Sequence, residues 1–286
     1  MSVREPASAS TPGGRPGVGA GRFSLDPDDL FRQRRPVSRR RKRLRRLRRA
    51  AAVAVVAAMM GVIVSGALLV VTPSVGNAQR LARAQGRAHH AVYPGPPVPA
   101  RFAASLVATE DHRFYSEPGI DPFAIGRVIV ARVTGGGDQG GATLYQQLAK
   151  LLYTPAGSDA AAKAEQVALA VKLDIAYRKG QILQMYADVA YFGHGFYGLM
   201  AASCGYFSEQ PAELTWPQAA MLAGIVQAPS AENPLDHPAA ARAREAHVLG
   251  RLVATRALTP AQASAAIAQP LFRLAGGGGS GCRSSR

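Results

Sequence analysis

Cysteine is scarce: the chain has two in 286 residues, Cys204 in a segment of helical character and Cys282 in a Gly/Ser-rich tail. Two thiols so placed suggest neither a disulfide framework nor a cysteine zinc site, and separate thiols are expected rather than a bridge. The six histidines, at 89, 90, 112, 194, 237 and 247, show no ligand spacing beyond the adjacent pair His89 and His90. Packed or exposed imidazoles are expected there. No useful length of chain alternates apolar and polar residues, which argues against a sheet-based fold. No internal period of about 20 to 50 residues is visible, which argues against a solenoid.

Acidic residues are also few, 18 against 34 Lys and Arg, for a net charge of +16. That excess would suit nucleic acid were it spread evenly. Residues 1–49 hold fifteen of the basic residues and four acids, so this tail supplies +11 and the remainder of the chain about +5. No nucleic-acid partner is expected. Residues 1–38 are rich in Ser, Gly, Pro and Arg without periodicity, and "LAGGGGSGCRSSR" closes the chain; both read as disordered.

Charge is wholly absent from Ala50 to Thr72, "AAAVAVVAAMMGVIVSGALLVVT". These 23 residues, at about 1.5 Å each, span the roughly 30 Å hydrocarbon layer. The stretch is longer than a signal-peptide core and stands behind a long leader, so an uncleaved anchor is expected. The run "RRRKRLRRLRR" on its N-terminal side places the N-terminus in the cytoplasm and everything after about residue 73 outside the membrane. The expected organisation is a disordered basic tail over 1–49, a transmembrane helix over 50–72, a linker over 73–89, a helical domain over 90–272 and a flexible tail over 273–286.

In that domain the 48% apolar content of the chain is enough for a packed core, and helical punctuation recurs. Phe102, Leu106 and Val107 form one stripe with Glu110 at its margin. Asp121 and Pro122 read as an N-cap and first helical residue, and Gly135, Gly136 and Gly137 stop that helix. Another helix begins near Thr143, Ser158 or Asp159 caps a long one, and Lys179 to Ala187 forms the next. Thr215 with Gln218, and Thr259 with Gln262, have capping-box spacing. Trp216 and the aromatic residues of "YFGHGFYGL" read as core and turn packing.

Four segments carry a resemblance: "EDHRFYSEPGID", "GGATLYQQLAK", "QILQMYADVAYFGHGFYG" and "YFSEQPAELTWPQAAMLAGIVQAPSAENP". In this order and spacing they resemble the peptidoglycan glycosyltransferase domain of penicillin-binding proteins and monofunctional transglycosylases, glycosyltransferase family 51. The resemblance covers about residues 90–270. It implies a predominantly α, lysozyme-like glycosyltransferase domain behind one N-terminal transmembrane helix. It implies polymerisation of lipid II into glycan strands outside the cytoplasmic membrane, with other cell-wall synthesis proteins as further partners. Too few residues follow the domain for a transpeptidase, so the monofunctional type is expected.

The resemblance assigns Glu110 as the general base on the acceptor sugar's 4-hydroxyl; a carboxylate beside an apolar stripe suits this, because partial desolvation raises its pKa. Taken alone, "ED" would read as a surface pair with Arg113. Asp111, Phe114, Thr143, Gln146, Gln147, Lys150 and Lys163 are the implied substrate contacts, with Gln146, Gln147 and Lys150 on one helical side and the lysines near the leaving diphosphate. No cofactor is required; a divalent cation, Mg or Mn, is compatible with diphosphate departure, though no ligand cluster specifies one.

The match departs from the family at several positions. Ala142 and Tyr145 stand where Ser and Thr are usual. Gln166 stands at the family's second essential Glu, three residues after Lys163, while the adjacent Glu165 is about 100° away around the helix. No Arg occurs between Arg132 and Arg178 to hold the diphosphate. Asp188 and Gln218 replace a usual Asn and Glu. Loss of one catalytic carboxylate removes orders of magnitude in rate, so a glycosyltransferase of reduced activity stands beside a non-catalytic lipid II-binding or scaffolding protein. A lysozyme-like hydrolase of finished glycan fits by fold analogy only.

Overall fold

A computed structural model describes residues 37–116, 119, 142–270 and 282, with backbone alone at 37–40. The described residues are mostly helical and contain no strand; the one extended pairing is an isolated bridge between Tyr191 and Tyr197. The chain divides into two units, Met1–Met60 and Gly61–Arg286. Helix α1, Val37–Val71, begins in the first and ends in the second. Its stretch Arg41–Val71 is long and apolar enough, by length and composition, to cross a membrane. The basic run 39–49 is thus helical, where the sequence reading expects disorder. Lys, Arg and Leu are good helix formers, and the apolar segment extends the same helix without a break.

Within the second unit, α2 (Ala78–Ala88) occupies most of the stretch expected to be a linker. It is followed by α3 (Ala100–Glu110), α4 (Leu144–Tyr153), α5 (Ala160–Ala176) and α6 (Lys179–Val189). Helix α7 (Leu199–Phe207), a 3-10 turn at Pro211–Glu213, α8 (Trp216–Ile225), α9 (Pro238–Ala254) and α10 (Pro260–Ile267) complete the unit. The expected helix opening at Asp121 and closing at Gly135–Gly137 lies outside the described residues.

The helix starts follow the sequence chemistry. Thr143 accepts from the Gln146 amide at 3.3 Å while the Gln146 side chain accepts from the Thr143 amide at 2.9 Å, a complete capping box for α4. Asp159 caps α5 through the Ala162 amide at 2.8 Å. Gln218 and Gln262 reach back to the Thr215 and Thr259 amides at 2.9 and 2.8 Å.

Two apolar clusters hold the helices. The larger gathers Phe102, Leu106, Leu148, Leu169, Leu173, Ile182, Phe192 and Met221 among its members. The smaller joins Ala108, Ala220, Val248, Leu249 and Leu252 beneath α10. Helix α3 faces both, with Phe102 and Leu106 fully buried in one and Ala108 in the other. Its last residue, Glu110, therefore emerges between the two clusters.

The turn after α6 is closed by Gly193, whose φ of +84° belongs to the left-handed region and where a Cβ would collide with the Pro229 carbonyl. Cys204 on α7 forms a disulfide with Cys282, which corrects the expectation of separate thiols. Their sequence separation of 78 hid the pairing; it depends on Cys282 coming back to α7, which spacing does not encode.

Candidate active site

Glu110 ends α3, and its side chain is 1% exposed. Gln147, in the first turn of α4, donates from Nε2 to Glu110 Oε2 at 2.9 Å. The other end of that amide accepts from the Tyr186 hydroxyl of α6 at 2.8 Å. Tyr186 is buried, so its hydroxyl fixes which way the Gln147 amide faces, and the amide fixes the carboxylate.

The second carboxylate oxygen, Oε1, accepts no hydrogen bond among the described residues and lies 3.6 Å from the Arg244 guanidinium of α9. Arg244 is itself held: Nε donates to the Gly224 carbonyl at 3.0 Å, a terminal nitrogen donates to Gln227 Oε1 at 2.8 Å, and Glu232 stands 3.6 Å from Nε. Gly224 makes room for this, since a Cβ there would sit 2.6 Å from Arg244 Cγ. Burial pushes the Glu110 carboxyl above its usual range, with Glu232 and Asp111 adding to the rise; the Gln147 hydrogen bond and Arg244 pull the other way. The net effect is a desolvated carboxylate with one oxygen that accepts no hydrogen bond among the described residues.

Asp111 caps α4 from outside, accepting from the Leu144 amide at 3.1 Å. An acidic group at a helix N-terminus is stabilised by the partial positive charge there. Thr143 also donates to the Gly119 carbonyl at 2.8 Å. Phe114 is buried against Tyr145 with ring centroids 5.4 Å apart, and Lys179 donates to its carbonyl at 2.6 Å while lying over both rings. Asp111, Phe114, Thr143 and Gln146 thus build the frame around Glu110, and Gln147 is the member that touches it.

The sequence reading puts Gln146, Gln147 and Lys150 on one side of α4, whereas their contacts diverge. Gln146 turns back into the capping box, Gln147 meets Glu110, and Lys150 is exposed beside a cavity of about 220 Å³ lined also by Gln85, His89, Tyr191 and Tyr197. Adjacent helical residues are about 100° apart, so Gln146 and Gln147 cannot share a direction. Around that cavity His89 stacks on Tyr197 at 3.7 Å, while Phe192 packs in the core.

Lys163 and Gln166 lie on α5, with Lys163 exposed. Gln166 donates to the Thr154 hydroxyl at 2.9 Å and to the Gly157 carbonyl at 3.4 Å, bracing the α4–α5 connection. Gln147 and Thr154 are about 10 Å apart along the helical path, so the Glu110 and Gln166 contacts sit at opposite ends of α4. Glu165 is half-buried. No group of three His, Cys, Asp or Glu side chains able to hold a metal comes together among the described residues.

Arg244, Tyr186 and Glu232 are absent from the residues expected by sequence. Tyr186 lies inside the quoted "QILQMYADVAYFG" with nothing local to mark its bond to Gln147. Arg244 comes from a helix far along the chain, and only the packing of α9 on α3 and α8 brings it to Glu110. Asp188, whose effect the sequence leaves open, is a buried latch: it accepts from the Gly95 amide at 3.1 Å and from Gln184 at 2.9 Å. Gln184 also holds the Pro96 carbonyl and the Val98 amide, at 3.0 and 3.2 Å. Burial moves the Asp188 carboxyl from 3.8 up to about 6, against the lowering effect of these hydrogen bonds.

The transglycosylase family model matches residues 77–253. Penicillin-binding protein 1F of Bacillus subtilis is 37% identical over 156 residues, 54% of this chain and 22% of that protein. Penicillin-binding protein 1A of Aquifex aeolicus is 37% identical over 61% of this chain and 24% of its own length. A putative transglycosylase of Cupriavidus necator is 33% identical over 174 residues, 61% of this chain and 75% of that protein. The chain thus spans about a fifth to a quarter of these penicillin-binding proteins. The solved penicillin-binding protein 1A of Haemophilus influenzae aligns with 60% of this chain and 16% of its own at 22% identity and a TM-score of 0.36. With a family model covering more than half of its residues, the chain belongs to the transglycosylase family.

Proposed function

We propose that this protein is a membrane-anchored peptidoglycan glycosyltransferase that polymerises lipid II, with Glu110 as the general base. The observation that carries the reading is the buried Glu110 carboxylate, held by Gln147 through one oxygen and facing Arg244 with a second oxygen that accepts no hydrogen bond among the described residues.

In the proposed step Glu110 takes the proton of the acceptor sugar's 4-hydroxyl as that oxygen bonds to the donor's anomeric carbon. The bond from that carbon to the lipid diphosphate breaks, and the diphosphate leaves with the electron pair. Lys150 and Lys163, both exposed, are the cations assigned to its developing charge. Arg244 keeps Glu110 ionised against the effect of burial.

Anchoring and orientation belong to the same reading. The apolar stretch of α1 is the proposed span, the basic run before it lies inside, and the domain after it lies outside. The Cys204–Cys282 disulfide supports this, because such bonds persist in oxidising, extracytoplasmic surroundings.

A second reading rests on Gln166. At the position of the family's second Glu it has no ionisable group, and it is engaged with Thr154 and Gly157. That favours lowered activity or a lipid II-binding, scaffolding role. Labelled lipid II incubated with the full chain and with Glu110→Gln separates the two: polymer lost in the variant supports the enzyme. Binding without polymer from either chain sinks it in favour of the scaffold.

A further inference from the structure

We propose that the outer face of α2 docks on an anionic lipid surface through a stripe of three arginines. The reading rests on the proposed anchoring by α1. From Ala50 to Thr109 the chain has no acidic residue, yet Arg80, Arg83 and Arg87 fall within the eleven residues of α2. Their spacing of three and four places them along one side of the helix. The opposite side is Ala78, Ala82 and Gly86, all buried, so small residues seat α2 closely while every arginine stays exposed. Among the described residues no carboxylate is paired with any of the three. A like-charged stripe of this kind is matched by a surface of negative phosphates.

The chain also dictates where this stripe sits. Six residues separate Val71, the end of α1, from Ala78, a reach of at most about 25 Å even when fully extended. That short segment is pinned to the domain: Lys172 donates to the Thr72 and Pro73 carbonyls at 2.6 and 3.1 Å, and the Tyr177 hydroxyl donates to the Val75 carbonyl at 2.9 Å. Both ends of α2 are fixed as well, Asn77 by the Tyr153 hydroxyl at 2.9 Å and Gln85 by its bond to the Leu151 carbonyl at 2.6 Å. The arginines are therefore carried on a surface already ordered, next to the emerging span, and docking demands little further loss of freedom. The occupant this favours is the headgroup layer of the membrane that α1 enters.

The test uses the full chain in lipid nanodiscs of phosphatidylcholine alone or with phosphatidylglycerol, carrying a fluorophore on Ala84→Cys, an exposed position between the arginines. Quenching by headgroup-nitroxide lipid should rise when phosphatidylglycerol is present and fall with added salt. In Arg80→Gln/Arg83→Gln/Arg87→Gln the docked-to-undocked ratio should drop on the order of 100-fold, with an unchanged helical circular dichroism spectrum. Equal quenching in the two lipid mixtures, or equal quenching in the triple variant, overturns the docking while leaving the anchor intact. A chain that fails to enter nanodiscs at all overturns the anchor, and the docking with it.

Discussion

Gln147→Met tests the link between the geometry around Glu110 and its chemistry. Methionine keeps the length of the side chain and removes both polar ends. Glu110 then loses a hydrogen bond of 2.9 Å to its Oε2, and the buried Tyr186 hydroxyl loses the acceptor it holds at 2.8 Å. A hydrogen bond to a charged group contributes about 1.5–3 kcal/mol, equivalent to about one to two pH units in the Glu110 pKa. The bond favours the ionised form, so its removal moves an already raised pKa further up. A base works unprotonated, and the acid limb of the kcat/KM profile for lipid II polymerisation should therefore move about one to two pH units higher, with activity recovering at alkaline pH. Tyr186, left unpaired, should lower stability by about 1–3 kcal/mol in denaturant unfolding. A rate loss that is the same at every pH, with the acid limb unmoved, would show instead that Gln147 acts on substrate and not through Glu110.

Other perturbations bear on separate parts of the argument. Glu110→Gln is expected to abolish polymer formation while lipid II binding persists; retained turnover in the gel assay would remove Glu110 as the base. Gln166→Glu should raise kcat if that position can serve the reaction, and an unchanged rate together with a lowered melting temperature would mark it as a brace for Thr154 and Gly157. Asp188 has a raised pKa, so its contribution to stability is greatest below the ordinary carboxylate range and is lost as pH rises through about 6. Thermal unfolding should accordingly show a gain on going from pH 7.5 to 5 that shrinks in Asp188→Asn, and matching slopes in the two proteins would contradict the latch. Reduction, or Cys204→Ser, releases a closure over a sequence separation of 78, which chain entropy puts at about 4.5 kcal/mol at most; the double Cys204→Ser/Cys282→Ser variant should melt no lower than either single one.

Much of the fold was legible because its determinants are local. The α4, α8 and α10 starts follow from a Thr and a Gln three residues apart, the Gln side chain reaching back to the Thr amide in each. The burial of Phe102 and Leu106 with Glu110 at the edge of their stripe follows from helical period alone. Three readings failed where the cause was not local. The basic run before the span is helical because the span continues it, α2 replaces a linker because its small face packs on α4 and α6, and the disulfide joins residues 78 apart.

The site divides along the same line. The sequence alone determined the uncharged apolar stretch of α1, the helical class and the place of Glu110 at the margin of an apolar stripe, since each rests on neighbours within a few turns. Tertiary structure decided what surrounds that carboxylate: Gln147 turned towards it, Tyr186 turned the amide, and Arg244 arrived from α9. A pKa is set by burial and by charges within a few ångströms, whatever their separation along the chain, so only the folded packing could set the balance between the burial that raises it and the Gln147 and Arg244 contacts that lower it.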